Sequence, residues 1–136
     1  MPNVRITSDS QAAALDAFTA QINVGGTGEI QFYNKDQPLN PNSIITDQIL
    51  LFTLGFLSPA FFPTVDGVAD ANTITTGLGI AIGDCTWARI VDGNGKHIFD
   101  CDVGTVGTTI ILDTVVVDID DILGLVSFKL RHPNGA

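Results

Sequence analysis

Glutamate is nearly missing from this 136-residue chain: Glu29 is the one Glu among fifteen acids, and the other fourteen are Asp. Glu suits helix interiors, whereas Asp suits turns and caps, so the imbalance argues against a helical protein. Basic residues are scarce too, six Lys and Arg against fifteen acids, for a formal net charge of -9. Phosphate contact needs clustered Lys and Arg, and anionic membranes need the same. Neither a nucleic acid nor a membrane is therefore expected as a partner. Charged residues reach only 15%, against roughly 25% in ordinary soluble domains. No apolar run is long enough to span a bilayer. The longest, Ile49 to Phe62, is interrupted by Thr53, Gly55, Ser58 and Pro59. The opening Met1-Pro2-Asn3-Val4-Arg5 has no basic region leading into an apolar segment, so synthesis in a cytosol is expected.

What the chain does have is β-forming and turn-forming. Ile, Val and Thr supply forty residues, with fourteen Gly and six Pro between them. Branched side chains fit a pleated, half-buried surface, and Gly and Pro punctuate it. At 45% apolar residues the chain can close a core, and its length suits one domain over residues 1–136.

One helix is expected, over about residues 10–24. Ser8 and Gln11 have capping-box spacing. Leu15, Phe18 and Ile22 follow at helical period, and Gly25-Gly26 terminates the run. From Gly28 the period becomes two. Glu29–Tyr33, Gln48–Leu54, Val68–Ile74, Gly77–Ile82, Cys85–Val91, Lys96–Asp102, Thr108–Leu112, Thr114–Ile119 and Leu125–Arg131 read as short strands. Asp66-Gly67 and Asp92-Gly93-Asn94-Gly95 read as hairpin turns. The expected fold is mainly β: an antiparallel β-sandwich, jelly-roll or Ig-like, over about residues 28–132 with one N-terminal helix. Its core should draw on Leu15, Phe18, Ile22, Ile30, Phe32, Leu50, Phe52, Leu54, Trp87, Ile98, Ile110, Leu112 and Phe128.

Cys85 and Cys101 sit on opposite arms of the clearest hairpin. If Val91 pairs with Gly95, Cys85 faces Cys101 and a disulfide is open to them. If Asp92 pairs with Lys96, Cys101 faces Trp87. Both registers place the cysteines on Trp87's face, and a one-residue slip separates them. The other reading is two buried thiols kept reduced in a cytosol. Two Cys without CxxC or HxxxH spacing do not make a metal site. Asp92 to Asn94 resembles part of a calcium loop, but Ile90 and Cys101 occupy positions where ligands are needed. Asp100, Asp102, Asp118, Asp120 and Asp121 are expected to be solvated turn and edge acids. His97 and His132 lack a nucleophile motif, and Gly25-Gly26-Thr27-Gly28 lacks the Lys-Ser/Thr of a phosphate loop. No catalytic, cofactor or metal site is expected, and no enzyme activity.

The stretch Phe56, Leu57, Pro59, Phe61, Phe62, Pro63 is too apolar for a free surface loop. It should either plug an end of the sandwich or protrude into a neighbour. Over nearly its whole length the chain also resembles small virion structural proteins of tailed bacteriophages. The resemblance runs through Asn3-Val4-Arg5, Leu15-Asp16-Ala17, Gly28-Glu29-Ile30-Gln31-Phe32-Tyr33, Gln48-Ile49-Leu50-Leu51, Pro59-Ala60-Phe61 and Asp66-Gly67-Val68-Ala69-Asp70-Ala71-Asn72. It continues through Cys85-Thr86-Trp87-Ala88-Arg89-Ile90, Asp92-Gly93-Asn94-Gly95 and Ser127-Phe128-Lys129-Leu130. Asp120-Asp121-Ile122-Leu123-Gly124 departs from it, where related chains often carry Gly in the turn before the last strand.

The resemblance implies assembly into a virion: a capsid decoration or cement protein, trimeric, bound to the major capsid protein. A baseplate, neck or tail component is the alternative within that class, and a small carbohydrate- or ion-binding β module the alternative outside it. Contacts are expected at the N-terminal residues, including Val4 and Ile6, at the Asn34–Ser43 loop, and at Phe56, Leu57, Phe61 and Phe62. Phe61→Asp is expected to abolish incorporation while leaving the monomer folded.

Overall fold

The computed structural model describes residues 6–131; Val4 and His132 lie outside them. The chain forms α1 (Ser8–Ala20), a 3-10 turn (Gln21–Asn23), and then β1 (Glu29–Tyr33), β2 (Leu50–Gly55), β3 (Val68–Asp70), β4 (Gly77–Leu78), β5 (Gly83–Asp84), β6 (Trp87–Val91), β7 (His97–Gly104), β8 (Ile110–Leu112), β9 (Val116–Val117), β10 (Ile122–Leu123) and β11 (Leu125–Arg131).

The helix starts at Ser8 itself, and its cap lies one residue ahead of the expected one. The Thr7 hydroxyl, not that of Ser8, accepts the Ser10 N–H at 3.1 Å, satisfying a donor that the first turn leaves free. Gly25 and Gly26 end the segment with φ of +79° and +133°, which residues bearing a Cβ resist. Leu15 and Ile22 are buried, and the Phe18 ring lies 5.2 Å from that of Phe99 on β7. The helix therefore covers one face of the sheet.

That sheet has seven strands in the order β2-β1-β6-β7-β8-β11-β3. It is mixed, not antiparallel throughout. β7 and β8 run parallel, with Val103 opposite Ile110 and Gly104 opposite Ile111. Parallel neighbours normally need a long crossover. An overlap this short lets Thr105–Thr109 suffice. The Asp102 carboxylate fixes that loop by accepting the Thr109 N–H at 3.2 Å and its hydroxyl at 2.6 Å.

The sheet is also curled. Residues 75–80 line the outer edge of β2, where Thr75 N–H donates to the Gly55 carbonyl at 3.0 Å and Ile80 N–H to that of Leu51 at 2.8 Å. On the other side of this segment β4 pairs with β10, and β5 with β9. β10 runs through Gly124 into β11. The start of the last long strand is thus brought back towards the β2 edge.

Ile30, Phe32, Phe52, Leu54, Ala88, Ile90, Ile110 and Phe128 form the heart of the core with the helix residues. Phe32 and Phe52 stack at 4.1 Å. An irregularity between Phe32 and Tyr33 shifts the β1–β2 pairing, and Leu51 is fully buried where Leu50 was expected. Val65 and Val68 exchange backbone hydrogen bonds across Asp66-Gly67, both with positive φ, as a type I′ hairpin turn requires.

The cysteine hairpin departs from both anticipated registers. At its turn, Asp92 N–H donates to the Lys96 carbonyl at 2.9 Å and Val91 faces His97, the second of the two. Ile98 is then an extra residue on β7, so that Ile90 faces Phe99, Ala88 faces Cys101 and Trp87 faces Asp102. A bulge of this kind reverses the face of every side chain beyond it. Cys101 joins the core face with Ala88 and Ile90, while Trp87 points the other way.

Candidate functional site

Three places on the molecule concentrate chemistry or adhesive surface. The first is a polar cluster on the outer face of β6. All five residues of this strand are buried: Ala88 and Ile90 face the core, and the β1–β2 connection, residues 34–49, covers Trp87 and Arg89 on the outer face. Trp87 Nε1–H donates to the Asn34 carbonyl at 3.0 Å, the Thr86 hydroxyl donates to the Lys35 carbonyl, and Arg89 Nη1 donates to the Ser43 carbonyl at 2.7 Å. The Arg89 side chain is 0% exposed and pairs with that of Asp100, 2% exposed, through Nε–Oδ1 at 2.7 Å and Nη2–Oδ2 at 2.9 Å. Two parallel charge-assisted bonds are the strongest geometry open to this pair.

The guanidinium also lies 5.5 Å from the Trp87 ring centre, which stacks on Tyr33 at 4.7 Å. Arg89 Nη1 is 3.2 Å from His97 Nδ1. A guanidinium only donates, so Nδ1 is the accepting nitrogen. Burial raises the Tyr33 phenol above its ordinary value, with Arg89 opposing the shift. The buried Arg89, Asp100 and Trp87 side chains are committed to neighbours, and the cluster clamps the loop onto the sheet.

The second is the expected contact stretch, which the structure divides. Phe56 and Phe61 are 3% and 4% exposed and pack with Phe128, the Phe61 and Phe128 rings edge to face at 5.1 Å. They are core residues, which corrects their assignment as contacts. Leu57, Phe62 and Ile6 remain on the surface. A groove of about 380 Å³ runs between α1 and residues 58–63, lined by Asp16, Thr19, Asn23, Pro59 and Phe62 among others. Asp16, its one charged residue, accepts the Thr64 N–H at 2.9 Å and its hydroxyl at 2.6 Å.

The third place is the ladder of 77–85 against 115–123. Leu78, Ile80 and Ile82 point outward, between 53% and 68% exposed. The residues alternating with them, Gly77, Gly79, Ala81 and Gly83, point inward. A Cβ on Gly77 would strike the Thr53 carbonyl, and one on Gly79 the Asp118 carbonyl. Small residues inside let the ladder lie close to its neighbours, and the branched side chains are left outside. Ile122 stands directly opposite Leu78, and Val116 opposite Asp84; direct cross-strand partners share a face. Ile122 is 78% and Val116 59% exposed. Five large aliphatic side chains are thus left exposed along these two strand pairs, with the exposed Asp84 beside Ile82 and the exposed Asp118 and Asp120 in the turn that joins β9 to β10.

Cys85 and Cys101 are both free, and both are buried in the apolar core. Burial pushes the Cys85 thiol up to about 12 and raises that of Cys101 as well, to which Asp102 and Asp100 add. Asp92 spends its carboxylate on the N–H groups of Asn94 and Lys96, each at 2.9 Å. Asp121 accepts the Asp118 N–H at 3.0 Å. Among the described residues no group of three or more His, Cys, Asp or Glu is placed to hold a metal ion. No helix among them is long and apolar enough to cross a membrane.

No family model, curated protein or solved structure matches the chain.

Proposed function

We propose that the protein is a non-enzymatic structural component of a bacteriophage virion, a capsid decoration or cement protein that binds the major capsid protein. On this reading the curled sheet and its outer ladder do the work of the two-layer sandwich that the resemblance implies. The observation that carries the proposal is the exposure of Leu78, Ile80, Ile82, Val116 and Ile122 along two neighbouring strand pairs. Isolated apolar residues on a surface are ordinary, whereas several on one continuous face mark a contact region. The clamp of Arg89 on the 34–49 loop keeps the scaffold rigid, so little ordering is required when it docks.

The test is mass spectrometry of phage heads purified away from tails, made with the wild-type chain or with Ile80→Thr/Ile82→Thr. Threonine keeps the β-branch and removes apolar area. The wild-type chain is expected in heads in many copies, and the variant is expected to stay in the soluble fraction. Absence of the wild-type chain from particles overturns the proposal. Recovery with tails alone moves the protein to a neck, tail or baseplate position.

A further inference from the structure

The border of the outward ladder says which kind of surface covers it. Neither 77–85 nor 115–123 contains a Lys or Arg. Asp84, Asp118 and Asp120 are exposed along its apolar side chains, and the whole chain carries a net charge of -9. A second copy laid on this face would set these carboxylates against their own kind. Like charges brought together at an interface oppose association. We infer that the ladder docks a different protein, one presenting an apolar centre edged by Lys or Arg. This rests on the docking role proposed above and adds the chemistry of the partner.

The two occupants respond oppositely to salt. Screening weakens attraction between an acidic and a basic border and relieves repulsion between two acidic ones. The probes are two soluble β-hairpin peptides that share one aliphatic face, one edged with lysine and the other with glutamate. Each is titrated into the full chain in low and high NaCl and followed by amide chemical shifts. Sedimentation of the chain alone over the same salt range reports self-association.

The lysine-edged probe is expected to shift residues 77–85 and 115–123, to bind at least tenfold more tightly than the glutamate-edged one, and to weaken several-fold in high salt. Asp84→Asn/Asp118→Asn/Asp120→Asn should remove most of that preference. Asn tolerates the positive φ of position 120, so this variant keeps the backbone. Equal binding of the two probes, or of neither, overturns the inference. So does self-association that strengthens with salt and disappears in Ile80→Thr/Ile82→Thr. If that variant is nevertheless lost from particles, the docking face stands and only its partner chemistry is wrong. If it is retained in particles, the docking role itself falls.

Discussion

Removing Asp100 is the sharpest test of how the loop over β6 is held. In Asp100→Ala, Arg89 keeps the Ser43 carbonyl, His97 Nδ1 and the Trp87 ring, but its charge loses its one anionic partner among the described residues, in a site where the side chain is fully buried. Breaking a buried pair from one side costs about 3–5 kcal/mol, because it leaves the other charge uncompensated. A domain of this kind has about 5–15 kcal/mol in total, so the variant should melt roughly 10–20 °C lower. Arg89→Met is expected to cost a similar amount, since it strands the Asp100 carboxylate and the Ser43 carbonyl together.

Combining Arg89→Met with Asp100→Leu removes both charges and restores apolar volume. Such replacements are often neutral or better, so the double variant should recover at least half of either single loss. The residue left unpaired is then the Ser43 carbonyl, worth about 1–3 kcal/mol. Urea unfolding suits the measurement. Trp87 is the one tryptophan of the chain and stands within the cluster, so its fluorescence reports this region while circular dichroism reports the whole fold. Agreement of the two signals makes the transition two-state. A loss below about 1 kcal/mol in Asp100→Ala would show that the pair is not what holds the loop. A double variant no better than the worse single one would refute the reasoning as well.

Two further outcomes follow from burial. Both thiols have higher pKa values folded than unfolded, where the ordinary value is 9.0. The unfolded chain therefore loses these protons first as pH rises. Their contribution is complete below about pH 9 and declines towards pH 12 by about 1.4 kcal/mol per pH unit for each thiol. Tyr33, also raised, adds to the decline from its own ordinary value of 10.0 upward. Urea denaturation across this range should show a shallower slope in Cys85→Ala/Cys101→Ala, and equal slopes would contradict the assignment. For the aromatic stretch, Phe61→Asp should leave no folded protein, because a carboxylate would replace a ring packed on Phe56 and Phe128. Phe62→Asp, 49% exposed, should stay within about 1 kcal/mol of wild type by the same assay.

The features legible in the sequence are those decided by neighbours in the chain. Gly25-Gly26 stops a helix because of what two glycines permit, and Asp66-Gly67 turns the chain for the same reason; neither needs the rest of the molecule. Glu29–Tyr33 and Leu125–Arg131 came out with their expected bounds. The hairpin of Cys85 and Cys101 shows where local reasoning stops. Its turn pairs Asp92 with Lys96, one of the two anticipated arrangements, yet the extra Ile98 reverses every face beyond it. Nothing in His97-Ile98-Phe99 announces a bulge, because its consequence is felt across the sheet: Cys101 reaches the core and Asp100 reaches Arg89.

The ladder was legible in a different sense. Gly77-Leu78-Gly79-Ile80-Ala81-Ile82-Gly83 alternates, and alternation marks a strand, but it leaves the inner face undetermined. Hydrophobic reasoning assigns the aliphatic side inward. Here the space beside the Thr53 and Asp118 carbonyls admits only hydrogen, so backbone proximity overrides the pattern and turns Leu78, Ile80 and Ile82 to solvent. A run that alternates branched aliphatics with glycine is therefore ambiguous in orientation where one alternating them with polar residues is not. The aspartates of the turn between β9 and β10, Asp118 and Asp120, belong to the surface under either assignment and are the better guide to which side faces out.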